Sequence, residues 1–120
     1  MSEKANIAVD FDGVIHQYIS GWMGEDVIPD PPVEGMIDWL NEIAAYYDVI
    51  IFTTRAKSSE GREAVHDWLV KNGCKVMPWI THEKPPALLY LDDRGWQFDG
   101  TPPTLEQIKE FRPWNKKGGD

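Results

Sequence analysis

Three short apolar runs constrain the fold of this 120-residue chain more than any other feature. They cover residues 7–11, 49–52 and 87–91, and apolar side chains follow one another in them instead of alternating with polar ones. Such runs are typical of strands that are buried on both faces. Segments with helical spacing of apolar residues separate them, at residues 33–46 and 60–72. This order predicts an α/β fold with a mainly parallel sheet.

The remaining elements follow from local signals. Ser58 or Ser59 is expected to cap the second helix, and Gly73 to end it. A further strand at residues 76–80 contains Pro78, which favours a position at the sheet edge. Residues 104–107 form a capping box for a last short helix that Pro113 halts.

These elements predict one domain over residues 1–120, a three-layer sandwich with helices on both faces of the sheet. Right-handed crossovers bring the carboxyl ends of the strands to one edge, where ligands bind in open α/β sheets. Residues 13–32 form a long loop that we interpret as a possible active-site flap. Residues 112–120 are expected to be a flexible tail.

Charge and composition narrow the partners. The net charge of −8 argues against binding duplex nucleic acid, which requires many basic side chains, but it is compatible with a small phosphorylated substrate. The single cysteine, Cys74, is interpreted as a small buried side chain beside a strand. No signal pattern or membrane-length apolar run occurs in this sequence, which predicts a soluble cytoplasmic protein without a membrane partner. The oligomeric state stays open.

Polar side chains follow the predicted strands at the points where they end. Asp10 and Asp12 close the first strand, Thr53 follows the second, and Asp92 and Asp93 follow the last. If the first and last strands are neighbours, four carboxylates meet, and such a cluster needs a cation. Oxygen ligands of this kind suit Mg²⁺, and a metal site with a hydroxyl and a lysine suits phosphoryl transfer.

Each of these motifs also has a plain structural interpretation. Asp10 and Asp12 can be turn residues, Thr53 and Thr54 can cap a turn, and Lys84 can be a solvated loop lysine. Their joint occurrence at successive strand ends favours the chemical interpretation.

The four motifs, in this order, resemble those of the haloacid dehalogenase (HAD) superfamily, which implies a Rossmann-like, HAD-like fold. In that family the residue at Asp10 is the nucleophile, and the residue at Asp12 is the general acid and base. Thr53 would bind the phosphoryl group, and Lys84 would pair with that group and with Asp10. The resemblance covers residues 7–98, and Val14 departs from the commonest motif, which has threonine.

The same resemblance implies Mg²⁺ as cofactor. Asp10 would bind the metal through its carboxylate and Asp12 through its backbone carbonyl. Asp93 is favoured as a direct ligand and Asp92 as a support, although the reverse is possible. The second acid, Asp12, points to phosphate esters, because a halide leaving group needs no proton.

The gaps between the motifs leave no room for a cap domain, so the active site is expected to be open except for the 13–32 loop. Gly13, Thr54 and Arg55 are candidate substrate contacts, with a surface ion pair as the alternative for Arg55. The loop aromatics Tyr18 and Trp22, like His16, can stack on a base or pack on the core, and packing is preferred.

The predicted activity is therefore Mg²⁺-dependent phosphomonoester hydrolysis through an aspartyl-phosphate. The substrate is expected to be a nucleotide or another small phosphorylated metabolite. Two alternatives stay open: a phosphatase acting on polynucleotide 3′ ends, and a non-catalytic binding module that keeps the fold and the metal.

Overall fold

The computed structural model describes residues 5–91 and 100–110. Its sheet contains β1 (Asn6–Asp10), β2 (Asp48–Phe52), β3 (Trp79–Thr81) and β4 (Leu89–Leu91). The strands lie in the order β3-β2-β1-β4, and all the pairings are parallel. The predicted α/β fold with a parallel sheet is confirmed.

Helical segments lie between and after the strands. They are α1 (Met36–Ile43), a 3₁₀ turn (Thr54–Lys57) that leads directly into α2 (Ser59–Lys71), and α3 (Leu105–Glu110). None of the described helices is long and apolar enough to cross a membrane.

The two central strands are buried on both faces. Ile7, Ala8 and Val9 follow one another in β1, and all three are inaccessible to solvent. Successive side chains of a strand point to opposite faces, so both faces of the sheet are covered at β1. The core extends from these strands to Met36 and Leu40 of α1.

The neighbour of β1 on its second side is β4. Val9 pairs with Leu91 in register, and on the other side Asp10 pairs with Phe52 of β2. The condition set for the carboxylate cluster, that the first and last strands lie side by side, is thus met by the described residues.

Three elements begin later than predicted: β4 at Leu89 instead of residue 87, and two others for local reasons. Gly35 adopts a left-handed conformation with φ 85°, so α1 begins at Met36 and not at residue 33. Pro78 lacks a backbone N–H, and β3 begins directly after it, at the described sheet edge as predicted.

The predicted helix caps are present. The Ser58 hydroxyl accepts a hydrogen bond from the N–H of Gly61 at 3.0 Å, and Gly73 follows α2 with φ 97°. Thr104 and Gln107 form the reciprocal capping box, with bonds of 2.9 and 3.1 Å. The predicted stop at Pro113 and the predicted tail lie outside the described residues.

Gly61 lets α2 approach the segment before it. A Cβ at this position would lie 1.9 Å from the carbonyl oxygen of Arg55, which is far too close for two non-bonded atoms. We expect Gly61→Ala to lower the free energy of unfolding by about 1–3 kcal/mol, the usual range for overpacking. At an unconstrained helix position the same exchange stabilises by about 1 kcal/mol.

Urea unfolding of Gly61→Ala beside Glu63→Ala, an exposed position of the same helix, tests this close approach. A stabilised Gly61→Ala protein would show that α2 does not pack against the Arg55 backbone.

Candidate active site

A pocket of about 350 Å³ opens at the carboxyl ends of β1 and β2. Four of the predicted site residues line it, namely Asp10, Asp12, Thr53 and Thr54. Tyr18 and Trp22 from the long loop, together with Phe52 and His82, complete its wall. The structure therefore brings the first two sequence motifs together with the loop.

A larger cavity of about 510 Å³ lies at the opposite end of the sheet. Asn6 and Asp48, the first residues of β1 and β2, line it together with the segment before β3. We assign the site to the smaller pocket, because ligands of parallel α/β sheets bind at the carboxyl ends of the strands.

Asp10 is the last residue of the central strand. Its Oδ1 accepts a hydrogen bond from the N–H of Phe11 at 2.7 Å. Phe11 is completely buried, and its carbonyl accepts from Ile15 at 2.8 Å and from His16 at 3.0 Å. These bonds hold the turn after Asp10 in place, and Asp10 lies at the pocket wall.

Thr53 is held at the end of β2. Its N–H donates to the carbonyl of Thr81 at 2.8 Å, and its hydroxyl oxygen accepts from the N–H of Arg55 at 3.2 Å. A hydroxyl that accepts from a backbone N–H keeps its own hydrogen for another partner. Thr53 can therefore donate to an oxygen of a bound group.

Lys84 lies at the same edge of the sheet. Its Nζ is 5.4 Å from the ring centroid of Phe52 and 4.6 Å from that of Tyr90, distances typical of cation–π contacts. The Tyr90 hydroxyl donates to the carbonyl of Pro85 at 2.6 Å, which ties the lysine segment to β4. Asp92 and Asp93, predicted to complete the site, lie outside the described residues.

The Asp12 carboxylate accepts hydrogen bonds from two buried side chains. Arg55 Nε lies 3.0 Å from Oδ2 and 3.2 Å from Oδ1, and Nη2 lies 3.1 Å from Oδ1. His16 Nδ1 lies 2.9 Å from Oδ1. Since the N–H of Asp30 donates to Nε2 of His16 at 3.1 Å, Nδ1 is the nitrogen that carries the proton toward Asp12.

Arg55 also holds the tip of the long loop. The guanidinium is completely buried, and Nη1 donates to the carbonyls of Gly24, Glu25 and Val27 at 2.8 to 3.0 Å. Its Cζ lies 4.8 Å from the ring centroid of Trp22. A buried charge requires such partners to offset its loss of hydration.

The base of the same loop is closed by backbone pairs. Val33 N–H donates to the carbonyl of Ile15 at 2.8 Å, and Gln17 N–H to that of Pro31 at 3.0 Å. Inside, the His16 ring stacks on Phe11, and the Trp68 indole donates to the carbonyl of Asp30 at 3.2 Å. The loop is therefore anchored at both its base and its tip.

Asp30 receives a second set of contacts within the loop. The backbone N–H and the hydroxyl of Ser20 both donate to its carboxylate at 2.7 Å. These hydrogen bonds hold the pKa of Asp30 below its ordinary value, and the bond from the backbone N–H of Ser20 contributes most. The charged form of Asp30 thus favours the observed fold of the loop.

Three sequence interpretations are revised by this geometry. Arg55, the candidate substrate contact with a surface ion pair as the alternative, does not line the pocket and is buried against Asp12 and the loop. Gly13 does not line the pocket, and its N–H donates to the carbonyl of His16 at 2.7 Å, so it shapes the turn with φ 86°. The preferred prediction that the loop side chains pack on the core is correct for His16, which is buried, and wrong for Trp22, which is 51% exposed.

Some features of the site were missed in the sequence. His82 lines the pocket although nothing near it in the sequence indicated a role. The joint hold of Arg55 and His16 on Asp12 was also missed, since it depends on how residues far apart in the chain meet. The one available signal was the pair of ionisable side chains, Asp12 and His16, four positions apart in a loop with many apolar neighbours.

The described residues offer few candidate metal ligands. They contain no cluster of three or more His, Cys, Asp or Glu side chains suited to an ion. Asp10 and Asp12, which line the pocket, carry carboxylate and carbonyl oxygens, the kind of hard donor that Mg²⁺ prefers. Cys74 is remote from them in sequence and buried, and burial raises its pKa, as for an unreactive thiol.

Comparison with protein-family models, with curated proteins and with solved structures finds no match to this chain. The interpretation of the site therefore rests on its own residues and their geometry.

Arg55 should be required both for stability and for the order of the loop. In Arg55→Lys a point charge replaces the planar fork, so several carbonyls and one carboxylate oxygen lose their donors. We expect a loss of about 1–3 kcal/mol in unfolding free energy and faster amide hydrogen exchange in residues 20–27.

Arg62→Lys, on the outside of α2, is the matched control and should leave exchange in the loop unchanged. Native protection of residues 20–27 in Arg55→Lys would contradict the anchoring role.

Proposed function

We propose that the chain is a Mg²⁺-dependent phosphomonoester hydrolase with an HAD-like, capless fold, and that Asp10 is its nucleophile. One observation carries the proposal. β1 lies between β2 and β4, so that Asp10 ends the strand between two parallel neighbours, while Thr53 and Asp92 come next in the sequence after those neighbours. Three motif-bearing strand ends at one edge are what a phosphoryl-transfer site needs.

The chemistry begins with attack by the Asp10 carboxylate on phosphorus. The ester P–O bond breaks, an aspartyl-phosphate forms, and the leaving oxygen takes a proton from Asp12. Water then attacks phosphorus and gives its proton to Asp12, so that phosphate leaves and both carboxyl groups return to their starting forms. Atoms and charges balance over the two steps.

The contacts of Asp12 fix the orientation of its carboxyl group for this second role. Oδ1 accepts from both Arg55 and His16, whereas Oδ2 accepts only from Arg55 Nε among the described contacts. The side chain is 18% exposed and lines the pocket. Oδ2 is therefore the oxygen that exchanges a proton with the leaving group, while Arg55 and His16 fix its orientation.

The phosphoryl group would be bound by several kinds of partner. Thr53 donates its free hydroxyl hydrogen, and the Lys84 ammonium supplies positive charge. Asp10, the Asp12 carbonyl and Asp93 or Asp92 would hold Mg²⁺, which when bound neutralises charge on the phosphoryl oxygens. The anchored loop contributes Tyr18 and Trp22 to the wall of the pocket.

The nucleophile is tested by Asp10→Asn. An amide is a poor nucleophile and cannot form the acyl phosphate, so Mg²⁺-dependent phosphate release from an aryl phosphate should fall by about 10³-fold or more. Asp38→Asn, an exposed carboxylate of α1, serves as the matched control and should retain the wild-type rate. Equal activity of the two variants would refute the assignment of Asp10.

A further inference from the structure

The indole ring of Trp22 lies at the candidate active site. The ring lines the same pocket as Asp10 and Asp12, and the side chain is 51% exposed. Its partner within the described residues is the Arg55 guanidinium, 4.8 Å from the ring centroid. A large aromatic ring left half open beside two carboxylates has apolar surface available for contact with a ligand.

The loop that carries this ring is anchored by contacts within the chain. Arg55 Nη1 binds the carbonyls of Gly24, Glu25 and Val27, which lie two to five positions after Trp22 in the loop. Upstream, Tyr18 holds a left-handed conformation with φ 61°, which is uncommon outside glycine and requires support from its surroundings. A preorganised surface loses little entropy when a ligand binds it.

Arg55 also indicates which part of the substrate meets Trp22. One edge of its guanidinium binds Asp12, and Trp22 lies against the same group. In the proposed function, on which this step rests, Asp12 protonates the leaving oxygen. A side chain that shares Arg55 with Asp12 therefore faces the leaving group and not the transferred phosphoryl group.

We propose that Trp22 is a stacking surface for a planar aromatic leaving group, and that the substrates are phosphomonoesters that carry such a group. Tyr18 and Phe52 line the same pocket, so aromatic side chains form much of its wall. Every nucleobase and every aryl ring has a face that can stack on indole. Such stacking does not depend on the hydrogen-bonding groups of the ligand. Nucleotides and aryl phosphates share this chemistry.

The test compares the ratio of kcat/KM for an aromatic substrate to that for ribose phosphate. Adenosine monophosphate and phosphotyrosine are the two aromatic substrates, and they distinguish a nucleobase from an aryl ring. We expect at least one ratio to exceed unity in the wild type and to fall about 10-fold in Trp22→Ala, as for loss of one stacked base. Trp22→Phe should keep most of the preference, and Met23→Ala, the exposed neighbour, should keep all of it.

Two results would overturn the inference while leaving phosphatase activity in place. One is a wild-type enzyme that hydrolyses ribose phosphate as efficiently as both aromatic esters. The other is an equal loss of activity toward all three esters in Trp22→Ala, which would mean that Trp22 only supports Arg55.

If the wild type releases no phosphate from any ester, the proposed function fails and binding still tests Trp22. Calorimetric titration with adenosine monophosphate and phosphotyrosine in Mg²⁺ should then show Trp22-dependent affinity for at least one of them. Absence of such affinity would reject the stacking surface, and would leave the exposed Ile19, Trp22 and Met23 as an apolar patch for a macromolecular partner.

Discussion

The buried pair of Arg55 and Asp12 is the interaction on which the rest of the site depends. A guanidinium without solvent contact is costly unless acceptors surround it, and here Asp12 and the carbonyls of Gly24, Glu25 and Val27 supply them. One side chain thus connects the first loop to the segment after β2. The backbone of Arg55, from which the side chain makes these contacts, packs closely against α2 at Gly61.

Much of the fold could be predicted from residues 7–11, 49–52 and 87–91. Continuous apolar runs require a sheet covered on both faces, and the burial of Ile7, Ala8 and Val9 confirms it. The boundaries were less predictable, since Gly35 and Pro78 move the starts of α1 and β3 by backbone geometry that periodicity does not contain. The HAD-like identity of the fold stays a prediction.

The candidate site, too, could be predicted only in part. Asp10, Asp12 and Thr53 could be located because strand ends meet at a parallel sheet edge, and they do line one pocket. The role of Arg55 could not be predicted, because the sequence does not show how the long loop folds back toward the segment after β2. His16 was predicted to pack on the core, and its bonds to Asp12 and Asp30 became evident only from the fold.

Covalent capture of the phosphoryl group tests the central claim most directly. The protein would be mixed with Mg²⁺ and an aryl phosphate, quenched in acid, digested and analysed by mass spectrometry. The account predicts a phosphoryl group on the peptide that contains Asp10, sensitive to hydroxylamine and absent without Mg²⁺. Turnover with the phosphoryl group on another residue, or with none on the protein at any time before steady state, would contradict it.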